Sequence, residues 1–257
     1  MPLSDEQRAR TLARFEEHRR AWDENPALRA LYADWYGRIA VELPPPALGP
    51  RLELGSGPGF ARQFIPDLEL SDIVRAPWHD REVSAEALPF GDGALGALVL
   101  FDVLHHLPDP RRFLTEAARV LAPGGRIVMC EPYVSPLSYP VYKLFHDEPL
   151  ALGVDPLEPA AAAAAADARD PFDSNQAIPT LLFGLRRRAF AEAFPGLALR
   201  RVAYLSGPSY PASGGFSRRP LLPPRLWSAL HRLESRLPEI VFRLTGFRML
   251  VVLEKRV

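Results

Sequence analysis

The segment from Glu53 to Gly59, with the sequence ELGSGPG, carries the clearest chemical signal in the chain. It follows a short predicted strand and precedes a short predicted helix, the context in which a glycine loop is informative. Because glycine has no Cβ, glycines at alternate positions let the backbone press against a ligand at the carboxyl end of a strand. The segment therefore predicts a nucleotide-like ligand at a sheet edge, with a plain tight turn as the structural alternative.

Three kinds of nucleotide ligand compete for such a loop. A dinucleotide fingerprint needs Gly or Ala three positions after its second glycine, where this chain has Phe60. A phosphate-binding P-loop needs a lysine directly after a glycine, and the only lysines are Lys143 and Lys255. An adenosyl ligand that carries an amino acid fits better, because the carboxylate of Glu53 can attract its ammonium group.

Strands and helices alternate along the chain and are expected to position this loop. The run from Leu95 to Phe101 is continuously apolar, which is typical of a parallel strand buried on both faces. Asp109 and Pro110 are suited to cap and begin the next helix. The alternation predicts a doubly wound, mostly parallel α/β sheet with an antiparallel edge. The predicted strands are 51–54, 68–73, 94–101, 126–130, 198–206 and 247–255. The predicted helices are 4–20, 26–43, 60–65, 186–194 and 226–244. A further helix is predicted to begin at residue 110 and to end at the Pro-Gly-Gly of 123–125.

The 257 residues fit a single domain with four consecutive parts. Residues 1–46 are predicted to form an N-terminal helical cap that begins with a capping box at Ser4 and Gln7. Residues 47–131 form the cofactor-binding core, and residues 181–257 complete the sheet. The proline-rich and aromatic residues 132–180 break the alternation and are interpreted as an insertion, or lid, after the fifth strand.

Composition narrows the classes of partner. Equal numbers of basic and acidic residues, 31 each, give no reason to expect a nucleic-acid partner. Cys130 is the single cysteine, so an internal disulfide is excluded, a cytoplasmic location is expected and no metal site is predicted. No run approaches the ~18 apolar residues of a membrane span, and the charged residues 1–20 lack a signal-peptide core. The oligomeric state is left open.

Four sequence blocks occur in a fixed order between residues 52 and 131. They are residues 53–59 (ELGSGPG), 85–90 (AEALPF), 101–109 (FDVLHHLPD) and 119–125 (RVLAPGG). In these blocks the chain resembles the class I (Rossmann-like) S-adenosylmethionine-dependent methyltransferases. The resemblance implies a seven-stranded sheet, S-adenosyl-L-methionine as the cofactor and a small-molecule methyl acceptor.

The resemblance also implies roles for the residues around the cofactor. Glu53 is expected to hold the amino group, and Asp72, with Glu69 as the alternative, to bind the ribose hydroxyls. Ala85 and Glu86 are expected to border the adenine. The complete set of expected cofactor-binding residues is Glu53, Gly55, Ser56, Gly57, Gly59, Asp72, Ala85, Glu86, Phe101 and Asp102.

Transfer of a methyl group to a weak nucleophile needs a general base, and His105 is the candidate, with a packing role as the alternative. Glu131 is expected at the same rim, either to orient the substrate or to hold the loop at Pro132 in place. The Asn/Asp-Pro-Pro-Tyr/Phe pattern of base and amide N-methyltransferases is absent, so methylation of oxygen or carbon is predicted over nitrogen. An aromatic group is interpreted as lining the acceptor pocket or packing the insertion, and consists of Tyr133, Tyr139, Tyr142, Phe145 and His146.

Two positions depart from the family pattern. Ser84 stands where many relatives have Asp, and Leu95-Gly96 stands where many have Phe-Asp. These departures support the alternative of a non-catalytic methyltransferase-like binding protein. The arginine clusters at 186–188, 200–201 and 218–219 are interpreted as solvated faces.

Overall fold

The computed structural model describes residues 3–145, 148–158 and 174–256. In this part of the chain seven strands form one sheet, in the spatial order β3-β2-β1-β4-β5-β7-β6. The predicted doubly wound α/β fold with a seven-stranded sheet is confirmed. The strands are β1 (Arg51–Leu54), β2 (Leu68–Asp72), β3 (Arg81–Glu82), β4 (Leu95–Phe101), β5 (Leu121–Pro132), β6 (Leu197–Leu205) and β7 (Arg248–Lys255).

The apolar sequence of β4 accounts for its central place. All seven of its residues are buried, and it pairs in parallel with β1 and β5. Glu53 of β1 lies opposite Val99 of β4 and Leu70 of β2, so these three strands end at the same edge. The direction of winding reverses between β1 and β4, and open α/β sheets bind ligands at such a point.

The far side of the sheet contains the predicted antiparallel pairing. Strand β7 lies between β5 and β6 and runs antiparallel to both. The start of β7 therefore shares an edge with the ends of β4 and β5. Arg248, the first residue of β7, lies opposite Pro132 at the end of β5.

Local sequence signals explain where the first two helices begin. The predicted capping box is confirmed, because Gln7 N donates to Ser4 Oγ and Ser4 N donates to Gln7 Oε1. The side chain of Asn25 accepts from the backbone of Ala27 and Leu28 and so caps the second helix. The helices are α1 (Asp5–Glu24), α2 (Pro26–Glu42), α3 (Pro110–Val120), α4 (Ser138–Phe145), α5 (Ile178–Thr180), α6 (Arg187–Ala193), α7 (Ser209–Ala212), α8 (Pro224–Glu234) and α9 (Glu239–Thr245). Short 3₁₀ turns lie at Pro46–Leu48, Ala61–Gln63 and Leu104–His106, and a π-helical turn lies at Leu181–Leu185.

Two hydrophobic cores hold the helices against the sheet. Phe113 of α3 and Phe190 of α6 belong to one core. Trp22 of α1, Trp35 of α2 and Trp227 of α8 belong to the other. The N-terminal helices are thus part of the main fold, because they share a core with the sheet.

Two local expectations are wrong. Strand β5 begins at Leu121, so the Pro-Gly-Gly of 123–125 lies inside the strand and helix α3 ends before it. The extra residues form a bulge, because the pairing shifts from Leu95 with Leu121 to Ala97 with Arg126. The region predicted as a short helix at 60–65 contains only a 3₁₀ turn.

The departure at Gly96 has a structural explanation. A Cβ at this position would lie 2.7 Å from Gly49 O and 2.9 Å from Gly49 N. The connection that leads into β1 therefore approaches β4 too closely for any side chain at position 96.

None of the helices in the described residues combines the length and apolarity that crossing a membrane requires. The alanine run at 160–166 lies outside the described residues.

Candidate functional site

The glycine loop has the backbone conformation that the sequence predicts. Gly55, Gly57 and Gly59 have φ angles of +66°, +49° and +80°, which residues with a Cβ rarely adopt. The loop is held between β1 and β2, because Ser56 N donates to Ser71 O at 2.8 Å.

Two of these glycines face other side chains of the same chain. A Cβ on Gly55 would overlap the side chain of Val103, and a Cβ on Gly59 would overlap the ring of Trp78. Protein packing therefore explains why both positions need glycine. The expectation that a cofactor passes close to Gly55 and Gly59 stays a prediction.

Helix α1 and Trp78 cover the loop together. A Cβ on Gly57 would have Phe15 of α1 as its nearest neighbour, at 3.7 Å. Arg19 Nη1 donates to Pro58 O at 2.9 Å, and its guanidinium lies 4.3 Å from the centre of the Trp78 ring. Trp78 Nε1 donates to Gly57 O at 2.7 Å. Any ligand that reaches this loop must displace part of the cover.

Glu53 lies at the end of β1 and is almost completely buried. Tyr36 Oη donates to Glu53 Oε1 at 2.7 Å, whereas Glu53 Oε2 is buried and has no hydrogen bond among the described residues. Burial raises the pKa of Glu53 to about 7, against the opposing effect of the hydrogen bond from Tyr36. The free oxygen is suited to a cationic hydrogen-bond donor, since a buried acceptor without a partner is unfavourable.

Asp72 lies beside the glycine loop, and the alternative acid does not. Asp72 Oδ2 accepts from Gly57 N at 2.9 Å, and Asp72 Oδ1 accepts from Val74 N at 3.1 Å. Each carboxylate oxygen retains a further lone pair for a hydroxyl donor. Glu69 instead forms a surface salt bridge with Arg81 at 2.7 Å. Asp72 is thus the acid next to the loop, and its role toward the ribose hydroxyls stays a prediction.

The two residues expected beside the adenine have structural contacts. Glu86 Oε1 accepts from Asp109 N at 2.7 Å, just before α3, and Glu86 N donates to Ser84 Oγ at 3.3 Å. Ala85 packs against the core that contains Phe113. Their role toward an adenine stays a prediction.

Phe101 and Asp102 end β4 at the same edge as Glu53. The ring of Phe101 is stacked 5.0 Å from Tyr36 and lies 4.7 Å from Tyr32, so aromatic groups of α2 cover it. Asp102 has a φ of +56°, which is uncommon for a residue other than glycine. Its side chain is 31% exposed and so gives solvent access to this edge.

Arg248 is a buried cation that sequence reasoning missed. Its Nη2 lies 2.7 Å from Asp102 Oδ1. Its guanidinium lies 4.6 Å from the ring of Trp35, 4.9 Å from Phe101 and 5.5 Å from Tyr210. The only signal in the sequence was an arginine directly before the apolar run at 249–253.

His105 occupies the rim as predicted, between two carboxylates. Its Nδ1 lies 2.7 Å from Glu131 Oε2, and its Nε2 lies 3.6 Å from Glu148 Oε2. Burial acts to lower the pKa of His105, but the carboxylates of Glu131 and Glu148 outweigh it and raise the pKa to about 10. An imidazole that is already protonated cannot accept a proton, so this arrangement does not support the general-base role.

Glu131 holds the turn after β4. Its Oε1 accepts from the backbone of Val103 and of Leu104, both at 2.9 Å, while its Oε2 contacts His105. Burial acts to raise the pKa of Glu131, and the contacts with His105 outweigh it and lower the pKa. Glu131 thus anchors the turn after β4 and not the predicted loop at Pro132, and its role toward a substrate stays a prediction.

The rim also brings together metal-ligand atom types that the sequence did not suggest. His105, His106 and Glu148 place such atoms within 4.8 Å of one another. The expectation that the chain holds no metal stays a prediction.

The aromatic group after β5 does not converge on one pocket. Tyr142 Oη donates to Phe247 O at 2.5 Å and packs α4 against the start of β7. The ring of Phe145 is exposed. Two surface cavities, of about 600 and 480 Å³, border Glu69 and Glu86 and do not contact the glycine loop. The described members of the group are Tyr133, Tyr139, Tyr142 and Phe145, and His146 lies outside the described residues.

Parts of the chain are similar to known methyltransferases. Residues 52–129 match the family described as a methyltransferase domain. A demethylmenaquinone methyltransferase of Clavibacter sepedonicus is 31% identical over 138 residues, which cover 46% of this chain and 56% of that protein. An uncharacterized methyltransferase of Mycobacterium tuberculosis (strain ATCC 25177 / H37Ra) is 29% identical over 141 residues, covering 47% and 55%. The matches thus span about half the length of these curated relatives.

Solved structures share the fold at low sequence identity. A chain from the Haloferax volcanii complex that contains the Trm112 methyltransferase activator has a TM-score of 0.50 and 16% identity, with 95% of both chains covered. The family match, the order of the sheet and the glycine loop at its switch point agree with one another. Through residues 52–129, the chain is therefore similar to proteins that contain a methyltransferase domain.

Proposed function

We propose that this chain is an S-adenosylmethionine-dependent methyltransferase that methylates oxygen or carbon of a small-molecule acceptor. The observation that carries the proposal is the free, buried oxygen of Glu53 beside the glycine loop and Asp72. A ligand with an ammonium group and ribose hydroxyls suits two acids in this arrangement. The match to a demethylmenaquinone methyltransferase supports a small organic acceptor.

The residues present fit such a cofactor in chemical type. Glu53 would hold the ammonium, Asp72 the ribose hydroxyls, and Phe101 would border the sulfonium. When bound, the cofactor supplies a methyl group that is already activated for displacement. The chain's own contribution is to position the partners and exclude water, and the aromatic rings of Tyr32 and Tyr36 provide a dry wall.

Cofactor binding requires the cover of the glycine loop to open. Trp78 and Phe15 lie over the loop, and α1 is held both by the buried ring of Trp22 and by the exposed salt bridge of Arg8 with Glu82 at 2.9 Å. Because an exposed salt bridge contributes little, the turn of α1 that carries Arg8 can move more easily than the turn that carries Trp22. Trp78→Ala should therefore accelerate cofactor association.

His105 enters the proposal as a positive charge at the rim. Its imidazolium faces Glu148, which is only partly buried, whereas Glu131 fixes the orientation of the ring. In this state the charge of the ring can stabilise a negatively charged oxygen of the acceptor. The proton that a hydroxyl acceptor loses on methylation then goes to another group or to solvent.

Calorimetric titration with S-adenosylmethionine and with S-adenosylhomocysteine tests the proposal. We expect saturable binding of both to the full chain, which weakens at least about tenfold in Glu53→Gln. Glu69→Gln is the matched control, because Glu69 is an exposed acid on the neighbouring strand. Screening acceptors with labelled cofactor then identifies the product.

The second candidate is a methyltransferase-like protein that binds a partner without catalysis. The packing of Val103 against Gly55 and of Trp78 against Gly59 favours it, because this loop is complete without a ligand. Absence of heat with S-adenosylmethionine at millimolar concentration would select this candidate. NAD titrated in the same way is the negative control for nucleotide specificity.

A further inference from the structure

Large apolar side chains stand exposed on α4, α8 and α9. Soluble proteins rarely expose many such groups side by side, and contiguous apolar patches mark interaction sites. The large apolar residues of this region that are between 59% and 71% exposed are Leu144, Phe145, Leu221, Leu226, Leu233, Ile240 and Leu244.

Helix α8 shows how the surface is organised. Leu226, Leu230 and Leu233 recur at the spacing of one helical face, and Leu237 continues the row just beyond the helix. This row is not the buried face of the helix, which is formed by Trp227 and its neighbours. Leu230 packs partly against the core that contains Trp227, so the exposed part of the row consists of Leu226, Leu233 and Leu237.

A second row of α8 carries positive charge. Arg225 and Arg232 are seven residues apart, so they lie on one side of the leucine row, and Arg236 follows. In the part of the chain that the structure describes, none of these three forms a salt bridge, and Arg219 forms none either.

The charge of this region contrasts with the neutral chain. Residues 216–245 contain six arginines and two glutamates, whereas the whole sequence has 31 basic and 31 acidic residues. One of the two, Glu234, is buried and accepts from the backbone of Ser209 at 2.7 Å. The exposed charge of the region is therefore almost entirely positive.

Neighbouring elements extend the surface toward the candidate site. Leu137 N donates to Leu244 O at 3.1 Å, which joins the start of α4 to the end of α9. Arg218 Nη2 donates to Phe145 O at 3.0 Å, which joins the segment before α8 to the end of α4. We name the exposed residues of α4, α8, α9 and 217–223 the leucine–arginine surface. It borders the edge where β7 begins with Arg248.

We propose that the leucine–arginine surface docks the protein onto the face of a membrane that contains anionic lipid. Interfacial helices combine leucine-rich and arginine-rich faces in this way, because the first enters the acyl boundary and the second meets the headgroups. A second copy of the chain would satisfy the leucines but would bring like-charged arginines together across a two-fold axis. A membrane with anionic lipid can accommodate the leucines in its acyl boundary and the arginines at its headgroups.

Vesicle co-sedimentation of the full chain tests the proposal without any cofactor or acceptor. We expect binding to phosphatidylcholine vesicles with about 30% phosphatidylglycerol, weaker binding to phosphatidylcholine alone, and loss of the difference at high salt. Its result is independent of the titration that tests the proposed function, so the failure of one is distinguishable from the failure of the other.

Two triple variants separate the apolar and the charged contributions. Leu226→Gln with Leu233→Gln and Ile240→Gln should lower the partition coefficient about tenfold for each side chain on both vesicle types. Replacement of the three α8-row arginines, 225, 232 and 236, by glutamine should lower it about fivefold for each, on anionic vesicles only. All substituted side chains are exposed, and thermal unfolding checks that the fold is kept.

The matched controls lie on the other face of the sheet. Leu185 is 72% exposed and lies just before α6, and the side chain of Arg188, within α6, is 93% exposed. Phe190 of α6 belongs to the opposite core from Trp227 of α8. Leu185→Gln and Arg188→Gln should leave vesicle binding unchanged. Absence of vesicle binding, or binding that the two triple variants do not weaken, overturns the proposal. A concentration-dependent dimer that the leucine variant abolishes, with no vesicle binding, assigns the surface to a second copy instead.

Discussion

Glu53→Gln is expected to remove the pH dependence of cofactor binding. Burial raises the pKa of Glu53 to about 7, and only the ionised carboxylate attracts an ammonium group. Between pH 5.5 and 6.5 the ionised fraction of a group with that pKa rises about eightfold, so the affinity of the wild type should rise by about the same factor. The α-amino group of the cofactor stays protonated over this range, because such groups have a pKa of about 7.7–8.0.

Calorimetry in two buffers with different ionisation enthalpies measures this effect directly. At pH 6.5 the wild type should release about 0.8 proton per cofactor bound, since roughly that fraction of Glu53 is still protonated. Glu53→Gln should release none, and Glu69→Gln should behave as the wild type. Proton release by the Glu53 variant, or affinity of the wild type that is flat from pH 5.5 to 6.5, would refute the assignment of this acid.

The same variant makes a prediction about stability. The folded-state pKa of Glu53 is raised from 4.5 to about 7, so the folded protein holds this proton more tightly than the unfolded chain. The stabilisation is complete below pH 4.5 and is lost as the pH rises through 7, a total of about 3 kcal/mol. Urea unfolding at pH 5 and pH 8 should therefore show a smaller decline for Glu53→Gln than for the wild type.

Three further substitutions test the rest of the site. Arg248→Met should cost about 3 kcal/mol in the free energy of urea unfolding, because it leaves Asp102 without its cation, and the added Asp102→Asn should restore part of the loss. Gly57→Ala should remain folded at a cost of about 1–2 kcal/mol for its positive φ, yet bind cofactor at least tenfold more weakly by titration. In nuclear magnetic resonance titrations His105 should stay protonated to about pH 10, and Glu131→Gln should lower that pKa; a normal pKa in the wild type would restore the general-base role.

The strand and helix pattern of the core was predictable because it depends on local chemistry. The apolar run that became β4 requires burial on both faces wherever it lies. Ser4, Asn25 and Asp109 cap helices through hydrogen bonds to residues two or three positions away. Such contacts are encoded within a short stretch of sequence.

The sequence predicted the backbone conformation of the three loop glycines but not the groups that pack against them. Positive φ at Gly55, Gly57 and Gly59 follows from the loop motif. What lies against each glycine depends on side chains far along the sequence or on another element, as Val103 and Trp78 demonstrate. The loop motif therefore indicates close approach without indicating which atoms approach.

The charges at the rim also depend on residues that are distant in the sequence. His105 was a reasonable candidate base as an isolated histidine, since its ordinary pKa lies near neutrality. Glu131 and Glu148, 26 and 43 positions away in the sequence, surround it and convert it into a cation. Arg248 pairs with Asp102 only because β7 inserts beside β5 in the antiparallel direction.

The sequence alone determined the order of elements, the bend of the glycine loop and the resemblance of residues 52–129 to a methyltransferase domain, because each depends on residue types at short spacing. The tertiary structure decided which carboxylate keeps a free oxygen, which histidine holds its proton, and which leucines remain at the surface. Those properties arise from burial and from charges brought together across the sheet, and neither is a property of any short segment.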